Sequence, residues 1–190
     1  RWVTPIPDPR LAKDMAFTLV GDVSADEDTI RVMEKTEKMS ALVAWNIRNS
    51  VTLQIDDELI VYSGISKKKP YAFTSCQRGA LGTKAVAHKA GSRVYHIKEY
   101  YGLFSPDGDS TLLDEVAQAT ADLYNDCGFD MIYFDALDGE DLMGDHNTGW
   151  HYGSKFVYEV HKRLKRPAIM EMATFHHHLW AVRARMGAWD

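Results

Sequence analysis

Three acidic residues occupy comparable positions in the second half of this 190-residue sequence. Asp135 directly follows the apolar run 131–134, Glu171 lies at the end of a second apolar run, 168–172, and Asp190 follows a third apolar stretch. Neighbouring parallel strands are about 4.8 Å apart, so carboxylates at their ends are expected roughly 5–9 Å apart, the range that glycoside hydrolases use. One carboxylate would attack or stabilise the anomeric carbon, and the other would protonate the leaving oxygen, because neighbouring acids separate each other's pKa values. The pattern predicts a glycoside hydrolase with Asp135, Glu171 and Asp190 as its catalytic residues.

Aromatic and polar side chains cluster in the sequence around the same strand ends. Sugar rings present C–H faces that pack on aromatic planes, while their hydroxyl groups hydrogen-bond to acids and histidines. Three adjacent histidines, 176–178, cannot converge on one point, so one of them is expected to be functional and the sequence does not say which. Trp180 also fits packing in a helix core. The predicted substrate-binding residues are Asp138, Trp150, His176, His177 and Trp180.

The second half of the chain reads as alternating helices and strands. Helices are predicted from Ser110 or Thr111 to Gly128, over 154–165 and around 178–186, with strands at 131–134, 168–172 and 188–190. Because the run 131–134 contains no polar alternation, we expect a strand that is buried on both faces. This order builds parallel strands and predicts the α/β class, as a partial (β/α)8 barrel. An open doubly wound sheet is the alternative, although no G-x-G-x-x-G motif supports it.

The first half predicts a small antiparallel β module. Short strands separated by turn residues are expected at 16–20, 29–32, 71–74 and 93–97, with a hairpin whose strands, 51–55 and 58–62, flank Asp56-Asp57. The prolines near the start indicate an extended segment. The predicted domains are an extended lead-in at 1–14, a β module at 15–98 and the barrel segment at 99–190.

Composition excludes several classes of function. The net charge of −5 argues against a dedicated nucleic-acid-binding protein, and the basic run 67–69 is predicted to be a solvated turn. No apolar segment of 18 residues is present, so no membrane span is predicted. The two cysteines form no C-x-x-C pair, and no cofactor or metal site is predicted. The chain begins at Arg1 and is expected to be a fragment of a longer protein, which would be extracellular or periplasmic if it is a glycosidase.

Two stretches resemble known families. GFDMIYFDALDG (128–139) and PAIMEMATFHHHLW (167–180) resemble (β/α)8-barrel glycoside hydrolases of the α-galactosidase type. This resemblance implies that Asp135 is the nucleophile, and that the acid/base lies on a later strand, where Asp190 is the nearest candidate. Residues 53–97 resemble a small β module of phage tail and surface-associated proteins. That resemblance implies structural roles for Arg78, Gly79, Gly82 and His88 in and around a tight turn.

Three other functions remain open at this point. Asp135, Glu171 and Asp190 would also suit an enolase-type enzyme that holds Mg²⁺, although the intervals between them fit that arrangement poorly. A polysaccharide lyase would need a similar base and charge neutralisation. The β module favours a non-catalytic carbohydrate-binding or phage-like surface module.

Overall fold

The computed structural model describes residues 8–43, 50–100, 103–134, 147–172, 179–182 and 185–186. The chain forms two compact units, Arg1–Ser105 and Pro106–Asp190. Neither helix of the described ranges is long and apolar enough to cross a membrane.

The described strands of the first unit all pair antiparallel. They form a four-stranded sheet in the order β1-β7-β3-β4, a three-stranded sheet in the order β2-β6-β5, and the β8-β9 ladder. In chain order they are β1 (Lys13–Thr18), β2 (Ile30–Arg31), β3 (Thr52–Ile55), β4 (Glu58–Val61), β5 (Gly64–Ser66), β6 (Ala72–Thr74), β7 (Arg93–Ile97), β8 (Glu99–Tyr100) and β9 (Leu103–Phe104).

The predicted hairpin at 51–62 is confirmed. β3 and β4 pair from Thr52↔Val61 to Ile55↔Glu58, and Asp56 adopts a positive φ of 50° at the turn. Aspartate tolerates this left-handed conformation better than most residues do. The core of the unit includes Phe73, whose ring lies 5.1 Å from that of Phe17 and 4.8 Å from that of Tyr62.

The second unit contains two helices and a three-stranded parallel sheet. Its described elements are α1 (Thr111–Cys127), β10 (Met131–Phe134), α2 (Gly149–Arg163), β11 (Ile169–Met172) and β12 (Arg185–Met186), with sheet order β10-β11-β12. α1 ends at Gly128, whose φ of 71° ends the helix in the left-handed conformation. The helices pack together, and Phe156 of α2 meets Phe134 of β10 edge-to-face at 5.8 Å. One face of the sheet is therefore covered by α2.

The prediction of the α/β class, as a (β/α)8 barrel segment, is wrong. Nine of the twelve strands in the described residues pair antiparallel, and only three short strands pair in parallel. A barrel wall is covered on both faces, but Met131, Tyr133 and Ile169 are 45%, 49% and 56% exposed on one face of the parallel sheet. The prediction that the strand at 131–134 is buried on both faces is also wrong, because only Phe134 of that strand is buried.

Two further predictions for the second half differ from the structure. α2 begins at Gly149, five residues before the predicted start at Ser154. The predicted helix around 178–186 is not formed by the described residues of that range, since 179–182 form turns and 185–186 form β12. The predicted strand at 188–190 lies outside the described residues.

Candidate functional site

Eight side chains were predicted to bind substrate or act on it. Five lie outside the described residues: Asp135, Asp138, His176, His177 and Asp190. The structure places the other three, which are Glu171, Trp150 and Trp180.

Glu171 lies in the middle strand of the parallel sheet, one residue before the end of β11. Strand alternation puts it on the face opposite to the buried Met170 and Met172, and its own side chain is half-buried. Its register partners are Tyr133 of β10 and Arg185 of β12. Asp135 and Asp190, its predicted acidic partners, lie outside the described residues, so their grouping with Glu171 stays a prediction.

Trp150 opens a row of three aromatic rings on the first turn of α2. Its ring centroid lies 5.6 Å from that of His151, at an interplanar angle of 80°. His151 in turn lies 5.2 Å from the ring of Tyr152, at 67°. Trp150 is 42% exposed and His151 is also exposed, so part of this row faces solvent. Edge-to-face packing of this kind favours a defined orientation of each ring.

The loop before α1 fixes the inner end of the row. The Tyr152 hydroxyl donates a hydrogen bond to Asp109 Oδ2 at 2.6 Å, and Lys155 Nζ donates to the carbonyl oxygen of Gly108 at 2.7 Å. Gly108 packs directly against the Tyr152 ring, because a Cβ atom at this position would lie 2.2 Å from Tyr152 Cδ1. The exposed Asp109 carboxylate is thereby held next to the aromatic row.

Trp180 is 62% exposed and follows Leu179, which is fully buried. The alternative prediction for this residue, that its indole packs in a helix core, is wrong, because the side chain is exposed. A surface role for Trp180 stays a prediction.

A second polar cluster lies buried in the first unit and centres on Glu58. Oε1 of Glu58 accepts hydrogen bonds from Arg78 Nε and Gly79 N, each at 2.8 Å. Oε2 accepts from Arg78 Nη2 at 2.9 Å and from Val86 N at 3.2 Å, and His88 Nε2 lies 2.8 Å away. Burial of the Glu58 carboxyl raises its pKa, but these hydrogen bonds outweigh that effect and bring the pKa below the ordinary value.

Both ring nitrogens of His88 face carboxylate oxygens, since Nδ1 lies 3.0 Å from Asp56 Oδ2. An ionised carboxylate only accepts, so both contacts are hydrogen bonds when both nitrogens carry protons. The cluster joins the β3–β4 turn to the tight turn around Gly79 and Gly82, where φ is 56° and 85°. The sequence interpretation assigned structural roles to Arg78 and His88, but it did not identify Glu58 as the residue that connects them.

Sequence reasoning also missed a buried group around His96. Its Nδ1 lies 2.7 Å from Asp14 Oδ1, and its Nε2 lies 3.1 Å from the Tyr62 hydroxyl. The Tyr62 hydroxyl also lies within hydrogen-bond distance of the backbone carbonyls of Ser40 and Ser50. Burial raises the pKa of Tyr62 well above its ordinary value, so this hydroxyl stays protonated. These contacts join β1 and β7 to Tyr62, the residue that follows β4. The only signal in the sequence was a histidine within a predicted strand.

No three histidine, cysteine, aspartate or glutamate side chains are grouped so as to hold a metal ion within the ranges that the structure describes. A magnesium site built from Asp135, Glu171 and Asp190 therefore stays a prediction for residues that lie mostly outside those ranges.

Comparison with protein families, curated proteins and solved structures finds no significant match to this chain. The resemblance to α-galactosidase-type barrels is wrong, because the described residues form mainly antiparallel sheets with two helices. The resemblance of 53–97 to a phage-type β module likewise has no matching family or structure to support it. The interpretation as a hydrolase, and as a glycosidase in particular, depended on the barrel, and the described residues offer no evidence for it.

Proposed function

We propose that the second unit binds carbohydrate at the first turn of α2, with Trp150 as the surface on which a sugar ring stacks. The observation that carries the proposal is the partly exposed Trp150 indole, which begins a row of packed rings beside the Asp109 carboxylate.

The chemistry of this surface matches that of a sugar. A pyranose ring has an apolar C–H face and a rim of hydroxyl groups, and it needs both a flat apolar partner and a few polar ones. Stacking on Trp150 would remove apolar area from water. The remaining acceptor capacity of Asp109 and the ring nitrogens of His151 can bond hydroxyl groups at its rim.

The contacts of the row favour binding because they exist before a ligand arrives. Tyr152 is held through its hydroxyl by Asp109 and through its ring by Gly108. His151 packs between Tyr152 and Trp150. Side chains that are already ordered lose less conformational entropy on binding, so more of the stacking energy contributes to affinity.

The proposal is for binding without cleavage, because the described residues do not form the barrel on which the predicted cleavage depended. Cleavage of an oligosaccharide by the wild-type chain would show that the surface belongs to an enzyme instead.

The full chain is titrated with neutral hexasaccharides of glucose, mannose and xylose. Isothermal titration calorimetry measures binding, and release of reducing sugar measures cleavage. Trp150→Ala should weaken binding of the preferred sugar about tenfold, since loss of one stacked ring corresponds to about 1–2 kcal/mol. Trp150→Phe should retain part of the affinity, because a smaller flat ring remains.

Leu123→Ala is the matched control, because Leu123 is an exposed apolar residue on α1, away from the aromatic row. Trp180→Ala tests the other exposed tryptophan of the unit. Wild-type chain that binds none of the sugars at millimolar concentration, or an affinity that Trp150→Ala leaves unchanged, would refute the proposal.

A further inference from the structure

Two loops at one end of the β2-β6-β5 sheet are joined by hydrogen bonds. Thr36 Oγ1, which is fully buried, donates to the carbonyl oxygen of Ser66 at 2.7 Å. Val32 N donates to the carbonyl oxygen of Tyr71 at 3.0 Å. The loop 33–39, which follows β2, is therefore held beside the end of β5 and the loop 67–71, which connects β5 to β6.

These two loops carry five exposed lysines, which together are called the lysine surface: Lys35, Lys38, Lys67, Lys68 and Lys69. Lys35 is the chain neighbour of Thr36, and Lys67 is the chain neighbour of Ser66, so the buried hydrogen bond joins the two segments that carry the lysines. The sequence shows only a run of three lysines, and the fold adds two more from a segment about thirty residues away.

Acidic residues of the described ranges neutralise only part of this surface. Glu34 is turned towards β1, where its carboxylate accepts hydrogen bonds from Thr18 N at 2.7 Å and Thr18 Oγ1 at 2.8 Å. Glu37 lies 3.8 Å from Lys35, and both side chains are largely exposed. Within the described residues no carboxylate forms an ion pair with the other four lysines. A local excess of positive charge thus persists in a chain whose net charge is −5.

We infer that the lysine surface binds an acidic polysaccharide, a polymer that carries a carboxylate or sulfate group on successive sugars. Mutual repulsion of clustered ammonium groups is relieved by a polyanion, which also releases its own counterions on binding. Lysine ammonium groups act as compact charges with rotatable donors, so they suit repeated anions that present no fixed geometry. Binding of a nucleic acid would favour arginines and stacking aromatics. The two loops carry no arginine, and their aromatic residue, Tyr71, packs against the core of the unit.

The lysine surface lies on the first unit, whereas the proposed site around Trp150 lies on the second, so this inference concerns a different site. The choice of a carbohydrate polymer over other polyanions rests on the proposed function, while the preference for a polyanion rests on charge alone. Polyanion binding by the lysine surface and carbohydrate binding at Trp150 can therefore be refuted independently of each other.

The full chain is titrated with alginate as an acidic polysaccharide, dextran as a neutral one and a single-stranded oligonucleotide as a different polyanion. Binding is measured at 50 mM and 200 mM salt for the wild type and for Lys67→Gln/Lys68→Gln. We expect the double variant to bind alginate about tenfold more weakly at low salt, with a smaller salt dependence. Dextran should not respond to this variant.

Lys84→Gln/Lys89→Gln is the matched control, because it changes the net charge equally at exposed lysines elsewhere on the first unit. It should leave alginate affinity within about twofold of the wild type. An equal loss in both double variants would refute the inference, as would tighter binding of the oligonucleotide than of alginate. Alginate binding that survives in Trp150→Ala, together with no binding of neutral sugars, would support the lysine surface and overturn only the proposed function.

Discussion

Replacement of Glu58 by glutamine tests whether the buried cluster stabilises the first unit. Glu58→Gln keeps the volume of the side chain but removes its charge and converts one acceptor oxygen into a donor group. Each oxygen of Glu58 accepts at least two hydrogen bonds, so the new amide group faces donors in either orientation. Arg78 would remain almost fully buried, with side-chain exposure of 6%, beside a neutral partner.

The expected cost follows from this geometry. Loss of one partner from a buried ion pair costs about 3–5 kcal/mol, since the remaining charge loses its counter-charge. Arg78 then keeps neutral acceptors, the backbone carbonyls of Ser24, Glu27 and Val86. Domains of this size are stable by about 5–15 kcal/mol, so the substitution should remove a large fraction of the free energy of unfolding. With a urea dependence of about 1–3 kcal/mol per molar, the unfolding midpoint of the first unit should fall by about 2 M at the middle of both ranges, and by roughly 1–5 M over their full span.

The assay is urea denaturation of the full chain, monitored by amide hydrogen exchange of β3 and β4 residues so that unfolding of the first unit is measured. Glu34→Gln is the control, because Glu34 also accepts two hydrogen bonds but is 40% exposed. It should cost about 1 kcal/mol. If Glu58→Gln shifts the midpoint no more than Glu34→Gln does, the cluster contributes little and the reasoning is refuted.

Glu58→Gln should also change how the free energy of unfolding depends on pH. The pKa of Glu58 lies below its ordinary value of 4.5, because its hydrogen bonds outweigh the effect of burial. A carboxyl group whose pKa is lower in the folded chain stabilises the fold above the unfolded-state pKa and loses this effect as the pH falls through the folded-state pKa. The free energy of unfolding of the wild type should therefore decrease on acidification below pH 4.5, and Glu58→Gln should show a weaker decrease.

Two more predictions follow from single positions. Gly108→Ala should lower the melting temperature and reduce the free energy of unfolding by about 1–3 kcal/mol, since the new methyl group overlaps the Tyr152 ring. Gly21→Ala is the control and should leave the melting temperature unchanged, because a Cβ atom there meets no atom within 4 Å. Equal effects of the two substitutions would contradict the packing of Gly108 against Tyr152. Burial raises the pKa of the Cys76 thiol to about 12, whereas Cys127 is exposed. A thiol reagent at pH 8 should therefore modify one cysteine in the native chain and two in denaturant, and rapid modification of both in the native chain would show that Cys76 is accessible.

Local sequence predicted those elements whose ends depend on their own residues. α1 begins at Thr111 and ends before Gly128, as its helical spacing and its glycine indicate. The β3–β4 hairpin follows from two apolar strands around a two-residue turn, and β7 occupies the predicted range 93–97. The start of α2 was predicted too late, because the glycines and aromatics at 149–153 are also typical of a loop.

The faces of the parallel strands could not be predicted in the same way. The run 131–134 is apolar throughout, and an apolar run reports the hydrophobicity of a strand but not what covers each of its faces. In the structure α2 covers the face of Phe134, while Met131 and Tyr133 remain exposed on the other. The barrel was inferred from the alternating order of helices and strands, and the strand at 131–134 was expected to be buried on both faces as in such a barrel.

The sequence by itself determined the position of α1, the hairpin around Asp56 and the presence of an aromatic segment at 150–152, because these depend on residues close together in the chain. Only the tertiary structure decided which distant residues meet. Glu58 contacts Arg78 across twenty residues, and the hydrogen bond between Thr36 and Ser66 joins two lysine-bearing segments that are thirty residues apart. Such pairings depend on strand register and on how loops pack, and composition or periodicity along the chain does not contain that information.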